Sequence, residues 1–262
     1  NVSCKEIAVA DQNDPRQKEA DTNLLTGCTC FFGKQYLDSL YGNWDIIMKT
    51  PGIALLHFSN QEIRNKITCQ TDLFLRFCPN PTIGVTGTKG KSTTSSLIYH
   101  ILHENGKDVK LNGNIGTPVF SDIDKIEPNT IIVSEMSCHQ LEYIHVSPHI
   151  GVLLNIHEEH LDHYGTMEKY IHAKQQIYLH QLPQDLLFCG MDVTPADGTC
   201  RSRIFTVSDQ NFDADVLLGG TKIHFDGHSY QIPSDRIPLL GHHNHIDIAF
   251  VYAICHTLGL ND

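Results

Sequence analysis

The segment Gly84-Val85-Thr86-Gly87-Thr88-Lys89-Gly90-Lys91-Ser92-Thr93-Thr94 constrains this chain more than any other. It follows a short apolar run at 82–85. It opens a stretch, 91–104, in which Leu97, Ile98, Ile101 and Leu102 share one helical face before Gly106. A strand that runs through a glycine loop into a helix start aims free backbone N–H groups and a positive dipole at one spot, which suits an anion. Gly-Lys-Ser at the end of the loop adds a lysine that reaches phosphate oxygens and a hydroxyl suited to Mg²⁺. The strict phosphate-loop pattern asks for glycine at 85, and Val85 stands there. The spacing predicts a phosphate cradle over Gly87, Thr88, Lys89, Gly90, Lys91, Ser92 and Thr93, set in an α/β layer.

The rest of the chain fits that layer. Continuous apolar runs at 131–133 and 150–154 predict parallel strands covered on both faces. A long helix is expected over 167–182, strands over 186–189 and 203–207, and a hairpin of 222–225 with 229–232 across Asp226-Gly227. A last helix is expected over 243–258, stopped by Gly259. Ahead of the loop, 6–11 and 44–48 read as strands and 61–77 as one helix. Cys78-Pro79-Asn80-Pro81 punctuates the pattern. A length of 262 residues supports two domains, divided there into 1–79 and 80–262. A net charge of −11 argues against nucleic acid or an anionic membrane as the main partner. No window approaches the apolar length of a membrane span. Nine cysteines without a paired C-x-x-C, Cys28-Thr-Cys30 being too tight, lead us to expect reduced thiols in a cytoplasmic protein.

The loop resembles the T-G-T-x-G-K-[ST]-T loop of the Mur ligase superfamily, which departs from the strict pattern at the same place. Further segments resemble that superfamily in the same order. Gly113-Asn114-Ile115-Gly116-Thr117-Pro118 is similar to G-N-I-G-x-P, and Glu135-Met136-Ser137-Cys138-His139-Gln140-Leu141-Glu142 to E-[LV]-S-S-[FH]-Q-L-E. The run from Asn155 through His160, Asp162 and His163 to Gly165 is similar to N-x-x-x-D-H-L-D-R-H-G. Ala173-Lys174-Gln175-Gln176-Ile177-Tyr178 is similar to A-K-x-x-I-[YF], and Gly241-His242-His243-Asn244 to G-x-H-N. Within the superfamily, Thr50-Pro51-Gly52-Ile53-Ala54-Leu55 and the N-I-G-x-P segment look most like the branch that adds D-glutamate.

That resemblance implies a partial Rossmann-like UDP-sugar-binding domain at 1–79 and a central ATP-binding domain with a mostly parallel sheet at 80–262. The first strand before Glu6 and a C-terminal ligase domain after Leu260 are expected to be missing. It implies an ATP-dependent ligase of peptidoglycan precursor synthesis that joins D-glutamate to UDP-N-acetylmuramoyl-L-alanine through an acyl phosphate. The complete enzyme is expected to be a cytoplasmic monomer, and this chain alone to fall short of synthesis. By the same resemblance Lys91 neutralises the transferring phosphate, and Ser92 and Glu135 hold one Mg²⁺. His160 reaches a second Mg²⁺, and Lys174 carries a carbamate whose oxygens suit such a cation. Asn114, Ser137 and Gln140 would hold the carboxylate substrate, and Thr50, Gly52 and Asp11 the uridine diphosphate side. Asn244 and Asp247 would meet adenine; the superfamily often has Asn where Asp247 stands, and Asp accepts a hydrogen bond there but cannot also donate one. Two other readings remain: a folylpolyglutamate- or cyanophycin-type ligase of the same superfamily, or a non-catalytic nucleotide or UDP-sugar module.

Overall fold

The computed structural model describes residues 4–15, 22–56, 58–121, 123–233 and 241–260. The chain divides into two compact units, Asn1–Met48 with Ser59–Ile67, and Lys49–Phe58 with Thr68–Asp262.

In the first unit β1 (Ala8–Asp11) pairs in parallel with β2 (Thr29–Phe32). β3 (Ile47–Met48) is short, and the Ile47 N–H donates to the Lys66 carbonyl at 2.9 Å. The single helix expected over 61–77 is broken into three pieces: α1 (Gln61–Arg64), β4 (Ile67–Thr68) and α2 (Gln70–Phe77). Two caps explain the break. Asn60 Oδ1 accepts from the Ile63 N–H to start α1, and Cys69 Sγ accepts from the Asp72 N–H to start α2. The β-branched pair Ile67-Thr68 between them favours extended backbone.

The second unit begins its βα pattern with β5 (Thr82–Thr86), α3 (Lys91–Glu104) and β6 (Val109–Gly113). β7 (Ile131–Glu135), α4 (Cys138–Leu141) and β8 (Ile150–Leu153) follow. Then come α5 (Leu161–Tyr164), α6 (Met167–Leu179), β9 (Leu186–Gly190) and β10 (Arg203–Ser208). β11 (Val216–Gly219), β12 (Lys222–Phe225), β13 (His228–Gln231) and α7 (His242–Thr257) complete it. One nine-stranded sheet takes the order β13-β12-β11-β10-β9-β8-β5-β7-β6. It is parallel from β6 to β11, and the Asp226-Gly227 hairpin adds the antiparallel strands. Positive φ at both Asp226 (50°) and Gly227 (76°) is what a two-residue hairpin turn of matching twist requires.

Helices cover both faces, so the fold is the expected α/β class with a mostly parallel sheet. Ile98 and Leu102 of α3 and Ala249, Phe250 and Ile254 of α7 pack on Val85 and Val152. Leu75 of α2, Leu141 of α4 and Ile177 of α6 pack on Leu153 and Leu187. The adjacent pair Val152 and Leu153 thus serve opposite cores, as the period of two demands. α2 belongs to this unit because Phe74 is buried with Val119 and Ile132. The chain order reverses at β5, between β8 and β7, and the carboxyl ends of β5 to β8 open there into a crevice, where open α/β sheets bind ligands.

Candidate functional site

Val85 explains the one departure from the strict loop pattern. It is a fully buried strand residue packed under α3, so the strand continues to Thr86 before the loop turns. Gly90 closes the loop at φ 86°, in the left-handed region. A Cβ there would lie 2.5 Å from Asp247 Oδ1, so no larger residue fits without displacement.

The loop is stitched to the end of β8. Asn155 Oδ1 accepts from the N–H groups of Thr88 (3.1 Å) and Lys89 (3.0 Å), and Asn155 Nδ2 donates to the Lys89 carbonyl at 3.1 Å. Thr88 Oγ1 meets Tyr170 OH at 3.0 Å and accepts from the His157 N–H at 2.9 Å. Sequence reasoning assigned neither Asn155 nor Tyr170 a role. The available signal was that Tyr170 and Lys174 are four apart on one helix and so share a face.

Two lysines converge on one carbonyl. Lys91 Nζ donates to the carbonyls of Gly87 (2.9 Å) and Thr88 (2.8 Å), and Lys174 Nζ donates to Gly87 at 2.8 Å. Lys174 is 1% exposed, and its ammonium lies 5.0 Å from the Tyr170 ring centroid. Burial, reinforced by the positive charge of Lys91, brings its amine down to about 8.

Glu135 ends β7 across the crevice. One of its carboxylate oxygens accepts from Asn114 Nδ2 at 2.8 Å, and the other is buried with no partner among the described residues. A buried carboxylate oxygen left so is costly unless a cation satisfies it. Magnesium therefore fits the donor set Glu135, with the exposed Ser92 hydroxyl at the start of α3.

A cleft of about 370 Å³ gathers Gly52, Lys91, Asn114, Ser137, His160 and Lys174 of the expected residues. Ser137 and Gln140 are engaged with each other: they form a capping box at the start of α4, and the Ser137 N–H donates to Gln140 Oε1 at 2.9 Å. Thr50 is exposed beside this cleft. Lys49, which sequence reasoning passed over, is buried, donates to the Thr50 carbonyl at 3.3 Å and pairs with Glu142 at 3.6 Å. His160 starts α5 at φ 55°, an uncommon conformation for a residue with a side chain. Its imidazole stacks edge-on with His139, whose own ring is held down at about 4 by burial and then by His163 and His160.

A second cleft, of about 540 Å³, lies on the other side of the loop, between Lys89, Asn155, residues 190–192, residues 207–211 and the first turns of α7. His243, Ile246, Asp247 and Phe250 line it, and Asn244 is not among the lining residues. Burial pushes the Asp247 carboxyl up to about 7. At neutral pH the acid is thus well populated, and as the acid Asp247 donates as well as accepts. Asp11 closes β1 in the first unit, where Oδ1 accepts from the Asn13 N–H at 2.7 Å.

A doubly wound α/β sheet with a glycine loop, two loop-bound lysines and a buried carboxylate at its switch point defines a phosphate-loop domain. Residues 85–255 match the family model described as the Mur ligase middle domain, and the chain belongs to the Mur ligase family. It is 39% identical over 178 residues to a UDP-N-acetylmuramoylalanine--D-glutamate ligase of Clostridium kluyveri, covering 67% of this chain and 37% of that one. The protein of the same name from Symbiobacterium thermophilum is 33% identical over 240 residues, covering 87% of this chain and 52% of that one. The chain thus spans between about a third and a half of the length of such relatives. Among solved structures, a UDP-N-acetylmuramoylalanyl-D-glutamyl-2,6-diaminopimelate--D-alanyl-D-alanyl ligase from Acinetobacter baumannii superposes with a TM-score of 0.60 at 16% identity, covering 97% of this chain and 56% of that one. MurF from Thermotoga maritima in complex with ADP gives 0.55 at 17%, covering 98% and 64%. At such identities these two structures speak for the fold alone.

Proposed function

We propose that this chain carries the ATP-binding and phosphoryl-transfer core of a ligase that joins D-glutamate to UDP-N-acetylmuramoyl-L-alanine. The observation that carries the reading is the convergence of Lys91 and Lys174 on the Gly87 carbonyl, opposite the half-satisfied Glu135. Both steps of such a reaction concentrate negative charge: a carboxylate attacks the γ-phosphate, and an amine then displaces phosphate from the acyl phosphate. Positive groups fixed beforehand stabilise that charge without reorganisation. The first-turn N–H groups of α3 and the Lys91 ammonium hold the phosphates. α7, with Asp247 and Phe250 on the 540 Å³ cleft, receives the base. Asn114, beside Glu135, orients the acceptor carboxylate in the 370 Å³ cleft.

Ser92, Glu135, His160 and Lys174 would hold magnesium, which when bound supplies Lewis-acid neutralisation of phosphate oxygens. Lys174 takes part as a carbamate. Its amine is buried, and at about 8 roughly a tenth is neutral at pH 7. Only that neutral form adds CO₂, losing one proton and gaining two oxygens. The names of the relatives support D-glutamate and the UDP-muramoyl acceptor, and Pro51 and Gly52 on the cleft leave room for a diphosphate.

Calorimetric titration with ATP and Mg²⁺ tests the core. The Lys91→Ala variant should bind at least about 10-fold more weakly, about 1.4 kcal/mol. Unchanged affinity in a folded variant would remove the phosphate-loop assignment. ATP-dependent phosphate release with a panel of UDP-muramoyl acceptors and amino acids tests the substrates, and preference for a different pair would overturn their choice.

A further inference from the structure

The 370 Å³ cleft holds a second donor set whose chemistry differs from that of Glu135 and Ser92. Cys138, at the first position of α4, is 3% exposed yet lines the cleft. His139 follows it, and His160 reaches the same point from the turn before α5. The thiol sulfur and one ring nitrogen of each histidine lie within 4.8 Å of one another. Cys138 Sγ and His139 Nδ1 are 3.6 Å apart. Tetrahedral zinc with ordinary Zn–S and Zn–N lengths sets those two atoms about 3.6 Å apart, so this pair already has ligand spacing. His160 has to close the remaining gap. Its side chain is 41% exposed, so a small rotation is open to it.

We propose that Cys138, His139 and His160 form a binding site for a borderline-soft divalent cation of the zinc class, with the fourth position open to the cleft. Thiolate and imidazole select zinc or cobalt over magnesium, which demands oxygen ligands. Two neighbouring groups support the site without ligating it. Glu159 Oε2 lies 3.6 Å from His160 Nε2, and the His163 ring packs at 4.3 Å against His139 while its Nε2 is held by Glu142 at 3.1 Å. Binding converts the Cys138 thiol to thiolate and releases one proton to solvent. An ion here would occupy the cleft into which Lys91 and Lys174 also face, and so would block it. The site shares His160 with the magnesium donors proposed above, so the two cations compete for that imidazole, and cation binding rather than catalysis is what tests it.

Cobalt(II) is the probe, because a thiolate ligand gives it a near-ultraviolet charge-transfer band and an open four-coordinate site gives intense visible bands. The chain should show both bands with one equivalent of Co²⁺, and zinc should bleach them. Cys138→Ser should abolish the thiolate band, and His139→Ala should weaken zinc affinity at least about 10-fold. The double variant Cys28→Ser/Cys30→Ser should retain the wild-type spectrum. Absence of a thiolate band in the wild-type chain overturns the site. So does a band that survives Cys138→Ser, or wild-type zinc affinity in folded His139→Ala.

Discussion

Replacing Asp247 by asparagine should make the chain more stable, and by an amount that depends on pH. Asp247 is 5% exposed, and burial raises its carboxyl from 3.8 to about 7. Ionising it in the folded chain therefore costs about 4 kcal/mol more than in the unfolded chain. The carboxyl sits against Gly90 at the N-terminus of α3, whose dipole favours the ionised form, and burial outweighs it. The sign follows from proton binding: between 3.8 and about 7 the folded state holds the proton that the unfolded state has lost. The stability that the neutral acid contributes is thus fully present below about pH 4 and is lost as pH rises through 7. Asparagine carries no charge at any of these values. Urea unfolding of both proteins without nucleotide, from pH 5 to pH 8, reads the difference. Asp247→Asn should gain about 2 kcal/mol relative to the parent across that interval, with a plateau above pH 8. A difference that stays flat, or that moves the other way, would refute the argument that burial rather than the helix dipole governs this carboxyl.

Tyr170→Phe removes the hydroxyl that meets Thr88 Oγ1 and should cost about 1 kcal/mol in thermal or urea unfolding, together with weaker nucleotide binding. Gly90→Ala forces a side chain into left-handed backbone and against Asp247, and should lower stability by about 1–2 kcal/mol or more. In a full-length ligase carrying this core, Lys174→Ala should abolish the activity proposed above, with partial recovery in acetate. A carbamate carbon should appear in the ¹³C spectrum of the wild-type chain after loading with ¹³CO₂ and Mg²⁺, and a bare ammonium under saturating bicarbonate would dismiss the carbamate.

Much of the second unit is legible from residue order. The strand at 82–86, the helix at 91–104 and the Asp226-Gly227 hairpin are local events: glycine, proline and hydrophobic period decide them. The break within 61–77 was not legible from the apolar spacing, because Ile63, Ile67, Phe74 and Phe77 keep a helical period while the caps at Asn60 and Cys69 interrupt the backbone. β6 (Val109–Gly113) and β11 (Val216–Gly219) escaped notice because each is short and ends in glycine, leaving too few residues to show a clear period. At the site the loop, Lys174 and Glu135 were legible as motif residues. What they touch was not. The shared Gly87 carbonyl joins positions 87 and 174, and the Ser137–Gln140 capping box becomes visible only when α4 is known to start there. Lys49 carried no signal, since burial of a lysine depends on tertiary packing.

The stitching by Asn155 has a consequence for how ligand arrival can be observed. The amides of Thr88 and Lys89 are already committed to an internal acceptor. They should exchange with deuterium slowly with or without nucleotide, and so cannot report its presence. The amides that open α3 have no acceptor within the helix. Protection confined to that first turn, leaving residues 88 and 89 unchanged, is the footprint of a phosphate landing on a socket whose shape was set in advance. The ordering entropy of the loop is then charged to folding and does not weaken association.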